Sequence, residues 1–218
     1  LSDGPIILST LSEEVYKRIR QSLFQNVYRP GEQLDIGKIA RNLNVSRQPV
    51  KEAINHLAQE GLLEIRPRVG TFVRKITQTD VRNIFEARRM IEIFALRNGT
   101  IDQESLQEIE KINDLMDRLS ENASFDYLAY NEADHTFHKL LVGLSRNDIL
   151  INTFVQLNTH YVTARAFYEN AFEIMLSRHD QHREILKQLK LGKIDRAIAE
   201  LDNHIRNAER ELLKIFSD

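Results

Sequence analysis

The sequence predicts a mainly α protein: an N-terminal winged helix-turn-helix of three helices and a two-stranded wing, then an all-α antiparallel helical bundle. Three observations predict it. Residues 34–74, LDIGKIARNLNVSRQPVKEAINHLAQEGLLEIRPRVGTFVR, hold two short amphipathic stretches, a break, and two β-rich runs around a turn. From residue 78 onward apolar positions keep helical spacing and strand alternation is missing. All 4 prolines lie before residue 68, so nothing in the remainder interrupts long helices.

In chain order, Thr10 and Glu13 form a capping box for a first helix running to about Val27, with Val15, Ile19, Leu23 and Phe24 on one face. Tyr28 to Gln33 contains Pro30 and Gly31 and is expected to turn. A second helix spans about Asp35 to Leu43. The third lies between Ser46, which can cap it, and Gly61, which can end it, with Val50, Ala53, Ile54, Leu57 and Ala58 inward. Leu62–Ile65 and Thr71–Arg74 read as strands joined by Arg66, Pro67, Arg68, Val69 and Gly70. The division falls near Lys75 to Thr79, giving a first domain over 1–76 and a second over 77–218, with Thr77 and Asp80 capping the next helix. Six helices follow at about 78–98, 103–121, 124–144, 147–170, 171–191 and 194–216, punctuated by Gly99, residues 145–147 and Gly192.

Charge separates the two parts. Residues 1–75 carry 12 Lys or Arg against 8 Asp or Glu, and residues 76–218 carry 18 against 24, so a formal net charge of −2 conceals a basic module joined to an acidic one. The basic module is the one that phosphate would attract. Zero cysteines exclude disulfides, thiolate metal sites and cysteine nucleophiles. No apolar run reaches membrane-spanning length and no signal segment is read, so a cytoplasmic protein with no membrane partner is expected. The chain opens on Leu1 rather than methionine and is expected to be trimmed there, so nothing is read from its start.

The polar face of the third helix carries Arg47, Gln48, Lys51 and Asn55 behind Ser46, side chains able to reach base edges and phosphates when a helix enters the major groove. Together with the basic, glycine-tipped turn, the segment VSRQPVKEAINHLAQEGLL resembles the GntR family of bacterial transcription regulators. The resemblance implies that Arg47 reads a base, that Lys51 contacts DNA nearby, and that Gly70 lets the wing tip, with Arg66 and Arg68, approach the minor groove. Many members of that family have arginine where this chain has Gly37, so a DNA contact from that position is not expected here.

The chemistry of the bundle lies in its histidines. Asp134 and His138 are four apart within NEADHTFHKLL, one helical turn, and could grasp one ion. His182 and His204 lie on the last two helices. Three imidazoles and a carboxylate suit Zn, Ni, Mn, Fe or Cu better than Ca or Mg. An Asp and a His at this spacing are also a frequent accident of helix surfaces, so spacing alone leaves a metal open. His179, three residues before His182, could share its face and replace it or bond to a ligand from behind. His135 and His160 are expected to be structural or exposed, and His56 a surface or interdomain residue. Arg88, within EARRMIE, can form a salt bridge with Glu92 one turn on. Tyr161 and Arg165 have only helical position in their favour.

Asp-x-x-x-His, a histidine in HREIL and another 22 residues later, following a GntR-type reader, resemble the FCD effector domain of the FadR subfamily. The resemblance implies metal ligands at Asp134, His138, His182 and His204, with zinc or nickel first and manganese or iron after, and Arg88 facing the ligand cavity. It further implies a homodimer on a pseudo-palindromic operator in double-stranded DNA and a small organic carboxylate as effector, with repression the expected sign. The competing readings are a metal-dependent hydrolase and a DNA-binding dimer that senses nothing. Against an enzyme, Glu132 faces elsewhere than Asp134, and no Ser-His-Asp, HExxH or phosphate-loop signature is present.

Overall fold

The computed structural model describes residues 11–121, 126–157 and 171–216, with only the backbone of 171–178. Among the described residues nine helices and three strands occur, distributed over two units, Leu1–Lys75 and Ile76–Asp218.

In the first unit, α1 (Leu11–Phe24) buries Val15, Ile19, Leu23 and Phe24 and packs on α3. Its expected start at Thr10 lies outside the described residues. It stops at Phe24, short of Val27, because Asn26 turns left-handed (φ 54°) while the N–H groups of Asn26 and Val27 close onto Leu23 and Ser22. Helix α2 (Ile36–Leu43) starts on Asp35, whose side chain accepts from the Lys38 N–H, and ends at left-handed Asn44. Helix α3 (Arg47–Gln59) buries Val50, Ala53, Ile54 and Leu57. Gly61, at φ +74°, ends it, with the Gly61 and Leu62 N–H groups donating to the carbonyls of Ala58 and Leu57.

The sheet departs from expectation. Besides the ribbon of β2 (Leu63–Arg66) and β3 (Gly70–Val73), a short β1 (Gln33–Leu34) pairs antiparallel with β3, in the order β1-β3-β2. Gln33 was expected in a turn. The turn is there, with Gly31 at φ +81°, but Gly31 N–H donates to Val73 and Val73 N–H to Glu32, drawing the next two residues onto the open edge of β3. Pairing that edge satisfies backbone groups a two-stranded ribbon would leave to water, and it buries Leu34.

In the second unit, α4 (Gln78–Asn98) opens on the reciprocal Thr77–Asp80 capping box. It ends at Gly99, where an added Cβ would lie 2.5 Å from the Ala95 carbonyl oxygen and 2.7 Å from that of Leu144, so only glycine lets the end of α6 come this close. Helices α5 (Gln103–Glu121), α6 (Tyr127–Gly143) and α7 (Asp148–Gln156) follow, α6 capped by Asp126 and α7 by Asn147. The remainder of the helix expected to reach residue 170 lies outside the described residues. Helix α8 (Ala171–Lys190) and α9 (Ile194–Ile215) pack against each other across a tight turn at Gly192 (φ +67°). Helix α9 also packs on α4, α5 on α6 and α8, and α4 on α6, so α4, α6, α8 and α9 surround one interior line. Phe85, Leu96, Phe137, Leu141, Ile185, Leu201 and Ile205 fill it.

Candidate DNA-reading face and metal centre

The first unit presents one basic groove. The roots of the wing, α2 and α3 enclose about 640 Å³ lined by Gln33, Asp35, Gly37, Arg41, Arg47, Lys51 and Gly70, among others. Arg47 and Lys51 lie one turn apart on exposed α3 and both face it. Ser46 is the first residue before α3 but makes no cap hydrogen bond through its hydroxyl, contrary to expectation. Gln48 is turned along the helix, donating to Glu52 at 2.9 Å, and Glu52 also accepts from Ser12.

On the wing, Arg66 donates to Glu64 at 3.1 and 2.9 Å and lies over the Phe72 ring, so its attraction for phosphate is partly offset. Arg68 occupies the tip with a left-handed backbone (φ 64°). At Gly70 (φ +150°) a Cβ would meet Gln33 Nε2 at 2.3 Å, and the Gln33 amide donates to Val69 across the turn. The positive φ is what favours glycine at this position, since the Gln33 side chain is exposed and could swing aside. His56 packs at a tilt on Tyr16, with ring centroids 4.5 Å apart.

The second unit converges on four side chains. Asp134 and His138 from α6, His182 from α8 and His204 from α9 each offer a ligand atom, all within 4.8 Å of one another. His138 Nε2 is 3.1 Å from His204 Nε2, which is 3.2 Å from His182 Nε2, which is 3.3 Å from Asp134 Oδ1. The three imidazoles are buried, and Phe137 packs on the rings of His138 and His182.

The protonation pattern decides what this cluster can do. His138 Nδ1 faces Glu92 Oε2 at 2.7 Å, and His204 Nδ1 faces Gln181 Oε1 at 3.0 Å. Both partners can accept, and a neutral imidazole that donates to them through Nδ1 leaves its Nε2 as a lone pair; in that tautomer the Nε2 atoms of His138 and His204 point lone pairs at each other. Two lone pairs at 3.1 Å repel unless they share a cation. Burial pushes the His182 imidazole down to about 3 despite the pull of Asp134, so it too is neutral near pH 7. Its Nε2 approaches Asp134 Oδ1 at 3.3 Å, so the carboxylate stands beside the imidazole nitrogens. Three of the distances between these atoms, 3.1 to 3.3 Å, are close to the roughly 3.3 Å that separates ligands held at about 2.0 to 2.1 Å from one ion.

Behind this cluster stands a buried pair that the sequence presented only in part. Arg88 donates through Nε to Glu92 at 2.6 Å, both nearly inaccessible (3% and 0%), and the other Glu92 oxygen holds His138. Burial pushes the Glu92 carboxyl above its usual range, against the pull of Arg88. Arg88 was weighed between a ligand and Glu92. It pairs with Glu92, and the further reach of Glu92 to His138, like that of Gln181 to His204, carried no local signal because each spans separate helices. Partners of this kind orient imidazoles where they ligate a metal.

His179 does not take the place of His182. It bonds to Asp117 on α5, which also receives Arg183. His135 is buried and stacked on Phe154, with burial pushing it down to about 4. His160, Tyr161 and Arg165 lie outside the described residues. Among those residues no helix is long and apolar enough to cross a membrane.

Comparison with known proteins gives matching results for both units. Residues 11–73 match the family model described as bacterial regulatory proteins, gntR family, and residues 83–207 match that of the FCD domain. The chain is 29% identical over 189 residues to the Nta operon transcriptional regulator of Aminobacter aminovorans, covering 87% of this chain and 88% of that protein. It is 27% identical over 214 residues to the transcriptional repressor RspR of Escherichia coli, covering 95% and 92%. A GntR regulator from Rhodococcus sp. RHA1 shares its fold with a TM-score of 0.77 at 22% identity, covering 94% of this chain and 98% of that one. The metal-free FCD domain of TM0439 superposes with a TM-score of 0.53 at 24% identity over 64% of this chain and 96% of that one.

Proposed function

Because the chain belongs to the GntR family of bacterial regulatory proteins, with an FCD domain as its second unit, we propose that it is a ligand-responsive repressor whose helical unit senses a small organic carboxylate at a metal. The family and its named relatives are transcriptional regulators, not enzymes. The observation that carries the sensing is the convergence of four ligand atoms of Asp134, His138, His182 and His204. These four would hold a divalent transition metal, zinc or nickel before manganese or iron, which when bound supplies an electrophilic point for carboxylate oxygens. Arg88 is the second anchor: a guanidinium matches a carboxylate in two places, and a ligand carboxylate would compete for it with Glu92. Arg47, Lys51 and Ser46, with Gln48 and the wing residues Arg66, Arg68 and Gly70, form the face for operator DNA.

Such a ligand changes operator affinity only through its different affinity for two arrangements of the protein, with coupling of about 1 to 3 kcal/mol giving roughly 5 to 150-fold. The test is a melting screen of metal-loaded and chelator-stripped protein against lactate, pyruvate, citrate and sugar acids. One acid is expected to raise the melting temperature of the loaded form alone. No response to any acid in either form would leave a dimeric DNA-binding protein that senses nothing of this class.

A pseudo-palindromic operator calls for two copies. The outer face of α4 offers a surface for the second: Met90 and Phe94 are 67% and 53% exposed over a groove of about 390 Å³ that includes Ile93, Glu86 and Arg97. In an antiparallel crossing centred between Met90 and Ile93, Glu86 of each copy meets the opposite Arg97, so the face is complementary to itself. Phe94→Glu, placing a carboxylate where the crossing buries an aromatic ring, is expected to turn a dimer into a monomer by light scattering while leaving helical content unchanged. A dimer that survives both Phe94→Glu and Met90→Glu would move the interface elsewhere.

A further inference from the structure

We infer that Arg41, on α2, supplies a DNA-phosphate contact for which Gly37 clears the space; this rests on the reading of the first unit as a DNA-binding face. A Cβ built at Gly37 would lie 3.4 Å from Nη2 of Arg47 and 3.5 Å from Nη1 of Arg41, so two guanidinium groups from different helices meet over one bare stretch of backbone. Both are exposed and both line the groove with Lys51. The Asp35 carboxylate sits in the same corner, 3.2 Å from that Cβ. The Lys38 and Gly37 N–H groups and the two arginines hold its carboxyl below the usual range. Asp35 is thereby committed to capping α2, and a single carboxylate does not neutralise two guanidinium groups and an ammonium.

An arriving phosphate completes the balance at that corner. The contact is to phosphate rather than to a base because the first helix of such a reader crosses the DNA backbone while the second enters the groove. The glycine at position 37 and the arginine at 41 are then one feature. A Cβ at Gly37 would only touch both guanidinium groups at ordinary contact distance, but a longer side chain would fill the space over which Arg41 reaches from the next turn of α2.

The experiment uses the full-length, metal-loaded chain and a duplex that it selects from a randomised double-stranded pool. Binding is titrated at several salt concentrations. Arg41→Ala is expected to weaken binding about tenfold and to lower the slope of log affinity against log salt by about one per reader, with the selected sequence unchanged. Arg41→Lys should keep most of the slope. Gly37→Arg in the Arg41→Ala background should restore it, since a guanidinium then rises from the position that Arg41 covers. Arg47→Ala should lose the sequence preference. If Arg47→Ala acts and Arg41→Ala leaves affinity and slope unchanged, the inference is wrong and the reader stands. If neither acts, the assignment of α3 as reader fails and this inference with it.

Discussion

Replacing His204 by alanine is expected to abolish metal binding and with it every effect of chelator on stability. His204 is the centre of the cluster, its Nε2 being 3.1 and 3.2 Å from those of His138 and His182. No other described His, Asp or Glu of α9 belongs to the cluster. A metal bound only by the folded chain and present at 100 times its dissociation constant adds about 2.7 kcal/mol. For a protein of this size that corresponds to roughly 5 to 11 °C in melting temperature. The wild type should carry one metal per chain by elemental analysis and lose that margin on stripping; His204→Ala should carry none and melt where the stripped wild type melts. A wild-type chain that takes up no Zn, Ni, Mn or Fe and ignores chelator would end the metal reading.

Acid gives the same site a second signature. The folded chain holds His182 near 3 and His135 near 4, against about 6.5 when unfolded, so below pH 6.5 the unfolded state binds more protons. Stability of the stripped protein is therefore complete above about pH 6.5 and falls as pH drops toward 3. Bound metal competes with those protons, so the loaded form should resist acid further before it melts.

Glu92→Ala is expected to cost 3–5 kcal/mol, on the order of what removing one member of a buried ion pair costs. The carboxylate is fully inaccessible, and without it Arg88 is left charged in the core with its Nε partner gone. His138 loses the acceptor that sets its tautomer at the same time. Glu92→Gln separates the two roles. Its amide oxygen can still accept from His138, so metal uptake should persist, while the loss of charge beside Arg88 should still show in the melting temperature. Joint replacement by Arg88→Met and Glu92→Leu should recover most of the stability, because two apolar chains avoid the desolvation of both ions. A loss under about 1 kcal/mol for Glu92→Ala would mean that water reaches the pair in solution.

Much of this was legible along the chain because the signals are local. The inward faces of α1 and α3 follow from apolar spacing, the stop at Gly61 from a left-handed backbone, and the start of α4 from Thr77 and Asp80, each within a few residues. Asp134 and His138 share a helix and were found the same way. His182 and His204 were joined to them by resemblance to a family, since spacing along one helix says nothing of what faces it from another. Strand β1 was missed for a related reason. Two residues make no periodic pattern, and Gln33–Leu34 becomes a strand only because β3 offers an open edge.

By itself, then, the sequence determined the order of helices, the placement of a basic reader before an acidic bundle, and the supply of nitrogen and oxygen ligands. Those are properties of short windows, where propensity, capping and charge act between neighbours. The tertiary structure decided which groups meet. His179 turned to Asp117 instead of the cluster, Glu92 reached 46 positions along the chain to His138, and Arg41 came to stand with Arg47 over Gly37. Side chains on different elements find partners according to how whole helices pack, and packing is a balance of buried surface and satisfied polar groups over the entire unit.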